Sequence, residues 1–214
     1  MSELIAVDGM SIIVGMCGSG KSHLLKYCLY MLWVVDKAFD FVIIYTNTPQ
    51  DDKFINPQYI HAGYSDNDLR KVLRVMRDFE TKGIREKILF IFDDVIGMIS
   101  FNNKLMAAFN TQFRKFNAAV VYSVQFLSSA IPPSICEQSF RACFFKPIGE
   151  DAFKALYRQY SQRYDKFKDF QKFVDQNTDD YQFIVVDNKA PSTEKRPYKP
   201  MKIPPTIPEF YIDF

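Results

Sequence analysis

Four cysteines, two histidines and a net charge of only +2 are the scarcities of this 214-residue chain. Cys17, Cys28, Cys136 and Cys143 have neither the paired short spacing of a zinc site nor the density of a disulfide scaffold, so a reducing compartment is the simplest setting. With so little net charge there is no global positive field, and any nucleic-acid contact must rest on a local basic surface. No apolar run approaches the roughly 20 residues of a membrane span. Met1 to Met10, which carries Glu3 and Asp8, lacks the basic start and apolar centre of a signal peptide. These absences lead us to expect a soluble protein, not secreted, working inside a cell or inside a particle assembled there.

Hydrophobic residues make up 48% and charged residues 24%, the balance of a globular chain, and the length suits one α/β domain with some decoration. Ser11 to Val14 reads as a short buried strand, and Ser22 to Trp33 carries Leu24, Leu25, Cys28, Leu29 and Leu32 at helical spacing. Phe41 to Tyr45 reads as a second strand, and Asp66 to Lys82 as an amphipathic helix with Asp66 as its N-cap. Ile88 to Phe92 is uninterrupted apolar sequence, as in a strand buried on both faces of a parallel sheet. A helix over Asn102 to Phe116 follows, then strands over Ala119 to Val124 and Ala142 to Phe145. Past Glu150 come helices marked by Phe153 and Leu156 and by Phe167 and Phe170, and Tyr181 to Val186 is the last predicted strand. Strand and helix alternating in this way predict a mainly parallel sheet flanked by helices. From Pro191 onward six of the eleven prolines are interleaved with Lys195, Arg196, Lys199 and Lys202. The expectation is a domain over 1–190 and a proline-rich basic and aromatic tail over 191–214 that forms no regular packed element.

Gly15-Met16-Cys17-Gly18-Ser19-Gly20-Lys21-Ser22 fits G-x-x-x-x-G-K-[ST] in full, between a predicted strand and a predicted helix. Its glycines let backbone N–H groups turn inward around phosphates, and the helix beginning near Gly20 presents its positive end. Lys21 then reaches the β- and γ-phosphates of ATP, the Ser22 hydroxyl is a Mg²⁺ ligand, and His23, just past the loop at the helix start, is counted with the nucleotide-binding residues. Asp93 and Asp94 end a buried strand, which suits Asp93 to hold the Mg²⁺ ion and Asp94 to polarise an attacking water. A glutamate is commoner in the second role, so Asp94 is one methylene short of the usual reach. Gln125, at the end of the next strand, suits a sensor that both donates to a γ-phosphate and accepts from water; a loop-facing polar residue is the alternative. Arg114 is either a fork for developing phosphoryl charge, supplied across a subunit interface, or a solvated surface charge.

These segments resemble the FtsK/HerA superfamily of DNA-pumping ATPases, and most of all the genome-packaging ATPases of poxviruses and other large DNA viruses. Four blocks carry the likeness: Gly15 to Ser22, Ile88 to Val95 (ILFIFDDV), Thr111 to Gln125 (TQFRKFNAAVVYSVQ) and Ile131 to Ile135 (IPPSI). Lys115 stands where that family usually has histidine. The resemblance implies an ASCE/RecA-like P-loop fold with an extra strand, the one ending at Gln125, between the P-loop strand and the acidic strand. It also implies ATP hydrolysis by a homo-oligomeric ring of roughly five or six subunits, moving double-stranded DNA into a preformed capsid at a viral assembly site in the host cytoplasm.

A small P-loop kinase acting on a nucleoside or nucleotide is the main alternative, with Arg158 and Arg163 available for a lid. A GTP switch is the other, since Asp94 to Gly97 fits D-x-x-G, but Asn188-Lys189-Ala190-Pro191 ends in proline where the guanine-reading acid belongs. Lys104, Arg114 and Lys115, and the basic tail, read first as a solvated face and a solvated linker, with salt-sensitive DNA contact as the alternative; docking of the tail's Tyr198, Phe210, Tyr211 and Phe214 on a neighbouring subunit or capsid protein is an expectation that rests on composition.

Overall fold

All five residues of the first strand, β1 (Met10–Val14), are buried, because this strand has a parallel neighbour on each edge and packed side chains on each face. The computed structural model describes residues 4–51, 53–100, 103–127, 131, 133–161, 164–189 and 198–213. The strands are completed by β2 (Phe41–Thr46), β3 (Ile60–Ala62), β4 (Ile88–Asp93), β5 (Ala118–Val124), β6 (Arg141–Phe144), β7 (Gln182–Asp187) and β8 (Tyr198–Lys202). They form one eight-stranded sheet in the order β3-β2-β4-β5-β1-β6-β7-β8. The first six positions are parallel, and β7 and β8 add as antiparallel strands at one edge. β5 therefore sits between the P-loop strand and the acidic strand, as the resemblance implies.

The two-residue period of the strands sends alternate side chains to two cores. Ile12, Phe90, Phe92, Val120, Tyr122 and Phe144 face one side, where α2 (Asp66–Thr81), α3 (Lys104–Gln112), α5 (Glu150–Tyr160) and α6 (Phe167–Asn177) cover them, with the short α4 (Pro133–Gln138) beside them. Ile13, Ile44, Leu89, Ile91, Val121 and Phe145 face the other, beneath α1 (Lys21–Leu29). A fully buried side chain of this size contributes about 1.5–3 kcal/mol, so both faces are needed to hold so short a set of strands.

Several boundaries differ from the sequence reading. α1 continues through a π-helical stretch, Tyr30–Val35. The N-cap of α2 is Ser65, whose side chain accepts from Asp68 N, while Asp66 is already in the first turn. α3 starts at Lys104 with Asn103 as N-cap and tightens into a 3₁₀ turn over Phe113–Phe116. Asn102 lies outside the described residues. β3 has three residues and no alternation to betray it.

The largest correction concerns the tail. Tyr198–Lys202 forms β8, paired with β7 from Gln182↔Lys202 to Val186↔Tyr198. Pro200 is tolerated because this is an edge strand, where a missing N–H need not break a ladder. Beyond it, Ile203 (8% exposed) and Ile212 (0%) join the core beneath α1. Ile212 N donates to Phe54 O at 2.8 Å and Asn56 N to Ile212 O at 2.9 Å, so residues 203–213 run as a strap from the β8 edge across the α1 side. Residues 191–197 and Phe214 lie outside the described residues. Among the described residues no helix is long and apolar enough to cross a membrane.

Candidate functional site: a phosphate cradle facing an acidic strand end

The carboxyl ends of β1, β2, β4 and β5 meet at one side of the sheet, the place where open α/β sheets bind ligands. The glycine-rich loop leaves β1 with Gly15 N donating to Val124 O at 3.0 Å and turns at Ser19 N to Met16 O, 3.1 Å. Gly18 (φ 78°) and Gly20 (φ 99°) hold left-handed conformations that other L-residues adopt at a cost. Gly20 is the N-cap of α1, no side chain caps it, and the first turn holds no acidic residue. The first amides of α1 are thus left for an anion.

Across the cavity, β4 delivers Asp93, and the chain then bends left-handed at Asp94 (φ 53°). Asp94 N donates to Ser123 O at 2.9 Å, and Asn47 Nδ2 donates to Asp94 O at 2.9 Å. This bend aims the Asp94 side chain back at the P-loop. Lys21 Nζ, whose side chain is 6% exposed, lies 2.5 Å from Asp94 Oδ1, and Gln125 Nε2 donates to Asp94 Oδ2 at 3.2 Å.

Asp93 is placed differently. Its Oδ1 is buried and closes no hydrogen bond. Burial raises its pKa and the Asp94 charge adds to this, while the neighbouring Ser123 hydroxyl and the Lys21 charge oppose it. A buried carboxylate oxygen without a donor, together with the exposed Ser22 hydroxyl, is a hard-oxygen donor set that fits a Mg²⁺ ion completed by phosphate and water.

The cavity between the two halves measures about 570 Å³ and is lined by the P-loop from Met16 to His23 except Ser19, and by Asp93, Asp94 and Gln125. Gly15 lies at its back, where an added Cβ would stand 2.4 Å from Ser19 Oγ and 2.9 Å from Phe145. Sequence reasoning missed Thr46, Asn47, Thr48 and Tyr181, which also line it. The first three directly end or follow β2, and that position at a strand's carboxyl end was the available signal. His23 lines the cavity as well, and its Nε2 lies 2.9 Å from Pro204 O on the strap.

Arg114 is not brought to this cavity. It is exposed, stacks on Phe140 at 5.0 Å and lines a separate cleft of about 580 Å³ with Arg85, Glu86 and Asn117, at the amino ends of β4 and β5. The seven residues of β5 put about 20 Å between that end and the P-loop. Of the features behind the alternatives, Arg158, Asn188 and Lys189 also stand outside this cavity. Arg158 bonds its own helix through Lys154 O at 3.3 Å, and Arg163 is outside the described residues. Asn188 donates to Ser139 Oγ, and Lys189 pairs with Asp8.

The family model described as "Poxvirus A32 protein" matches residues 2–194. The chain belongs to this poxvirus A32 protein family. A curated relative, uncharacterized protein 075L of Invertebrate iridescent virus 6, is 23% identical over 186 residues, covering 84% of this chain and 70% of the relative. Among solved structures, the genome packaging NTPase B204 of Sulfolobus turreted icosahedral virus 2 in complex with ATP-gammaS superposes with a TM-score of 0.68 at 17% identity, covering 92% of this chain and 98% of B204. The pCW3 conjugation coupling protein TcpA gives 0.53 at 12%, covering 89% of this chain and 59% of TcpA. Membership of the A32 family bears out the resemblance drawn from the sequence, and the B204 superposition bears out the P-loop α/β fold.

Proposed function

We propose that this A32-family chain is an ATP-hydrolysing motor that drives double-stranded DNA into a preformed capsid, working as a ring of roughly five or six copies. One observation carries the reading: the Asp93–Asp94 strand end and Gln125, directly after the adjacent inserted strand β5, face the P-loop across a single cavity.

ATP entering the cavity meets the α1 amides and draws Lys21 from Asp94 onto the β- and γ-phosphates, where an ammonium is worth more than on a half-solvated carboxylate. Asp94, released, turns to a water held in line with the γ-phosphorus and takes its proton as the oxygen attacks. The bond to the β–γ bridging oxygen breaks, leaving ADP and phosphate. Gln125, bonded to Asp94 before the nucleotide arrives, registers that release. A Mg²⁺ ion bound with the nucleotide would be held by Ser22 and Asp93 and supplies neutralisation of phosphate charge. Arg114 acts, in this scheme, on the site of a neighbouring copy. Duplex DNA and capsid protein are the proposed partners, and a host-cell viral assembly site the proposed location.

ATP turnover measured with and without duplex DNA, and with a panel of nucleosides, tests the motor reading. Stimulation by duplex DNA is expected; phosphate transfer to a nucleoside instead would replace the motor with a kinase.

A further inference from the structure

Beside the phosphate cavity lies a second, smaller one of about 260 Å³, walled by Phe145, Tyr181, Ile203 and Pro205, with Lys202 at its rim. The two share Gly20, His23 and Tyr181, so they form one continuous trough that is polar at the phosphate end and apolar at the other. We propose that this apolar end receives the heterocyclic base of the nucleotide, with the Tyr181 ring as its stacking platform and the C-terminal strap as its wall. The proposal rests on nucleotide binding by the P-loop and deepens it.

Three further features point the same way. Tyr181 is a large aromatic left 65% exposed, although the apolar core is close at hand. Its ring hangs over the end of the P-loop, since a Cβ placed on Gly20 would stand 3.3 Å from Tyr181 Cδ1. Its backbone is left-handed (φ 59°), as is that of Asp180 before it (φ 52°), in a turn closed by Gln182 N to Asp179 O at 3.0 Å. Glycine or asparagine suits such a turn, and a tyrosine held there against its preference is the kind of strain found at ligand clamps.

The strap completes the enclosure. The His23 ring meets Pro204 O and Lys202 pairs with Asp180, so Ile203 and Pro205 are fixed opposite the ring. A flat base between an aromatic face and aliphatic walls is desolvated on both sides, and stacking of this kind is insensitive to base identity.

Affinities for ATP and for inorganic tripolyphosphate, which has no base, separate the two ends of the trough. Tyr181→Gly suits the φ of that position and removes the ring with its Cβ; Tyr181→Phe keeps the ring. The expected result is ATP binding weakened roughly tenfold or more in the glycine variant, unchanged tripolyphosphate binding, and recovery of ATP binding in the phenylalanine variant. Unchanged ATP affinity in the glycine variant, or an equal fall for tripolyphosphate, overturns the base site while leaving the P-loop reading intact. Wild-type protein that binds neither ligand overturns both.

Discussion

Lys21 and Asp94, separated by 73 positions in sequence, stand 2.5 Å apart, so the lysine of the P-loop is held by the carboxylate across the cavity. Any nucleotide must compete with that contact. Replacing Asp94 by asparagine leaves a neutral partner and is expected to tighten binding of a non-hydrolysable ATP analogue by several-fold, since a partly exposed ion pair is worth up to about 1 kcal/mol. Turnover in the same variant should fall by about 10²–10⁴. Analogue titration and steady-state ATPase on one preparation check both directions; weaker analogue binding would show that Asp94 assists the nucleotide instead of competing with it.

Asp93 carries the opposite signature. Burial raises its folded pKa above the ordinary 3.8, so the folded state holds the proton more tightly than the unfolded chain. Its contribution to stability is therefore greatest at low pH and is lost as pH rises through the raised value. Asp93→Asn removes this term. Melting temperatures of the nucleotide-free proteins should differ in favour of the variant at neutral pH, by roughly 2–4 °C for each kcal/mol recovered, and converge in acid. Mg²⁺-dependent ATP hydrolysis should be lost in the variant.

Arg114 lies at the wrong end of its own sheet to touch its own nucleotide. Arg114→Ala is expected to leave the ATP dissociation constant unchanged and to lower turnover about 10³-fold only at concentrations where copies assemble. A rate deficit that persists unchanged on dilution to monomer would rule out action on a neighbour.

Gly15 is constrained by space and not by backbone angle. A methyl group there meets Ser19 Oγ and Phe145 at once, and the loop must move to admit it. Gly15→Ala should reduce tripolyphosphate and ATP affinity together, by tenfold or more, as a shift of one ångström in a preorganised cradle costs about 10²-fold. Parallel titrations of the two ligands, with a melt to confirm folding, give the answer.

The phosphate cradle was legible in the sequence because its conformational demands are local: Gly18 and Gly20 occupy left-handed positions that glycine tolerates best. The buried strands were legible for a similar reason, since Ile88 to Phe92 has no polar residue to spend on a solvent face. What escaped was non-local. The Lys21–Asp94 contact depends on a left-handed bend at an aspartate, held by Asn47, just past β2, and by Ser123 on β5. β8 was hidden by Pro200, whose tolerance depends on standing at an edge. The stacking of Arg114 on Phe140 could not be read, because Phe140 reaches it from beyond β5.

The strap has a mechanical meaning. At one end it is clasped by the imidazole one residue past Ser22, and at the other Asp213 receives a hydrogen bond from Asn56, close to the three-residue strand that borders the sheet. The C-terminal segment thus ties the fuel end of the first helix to an outer rim of the sheet that touches no phosphate.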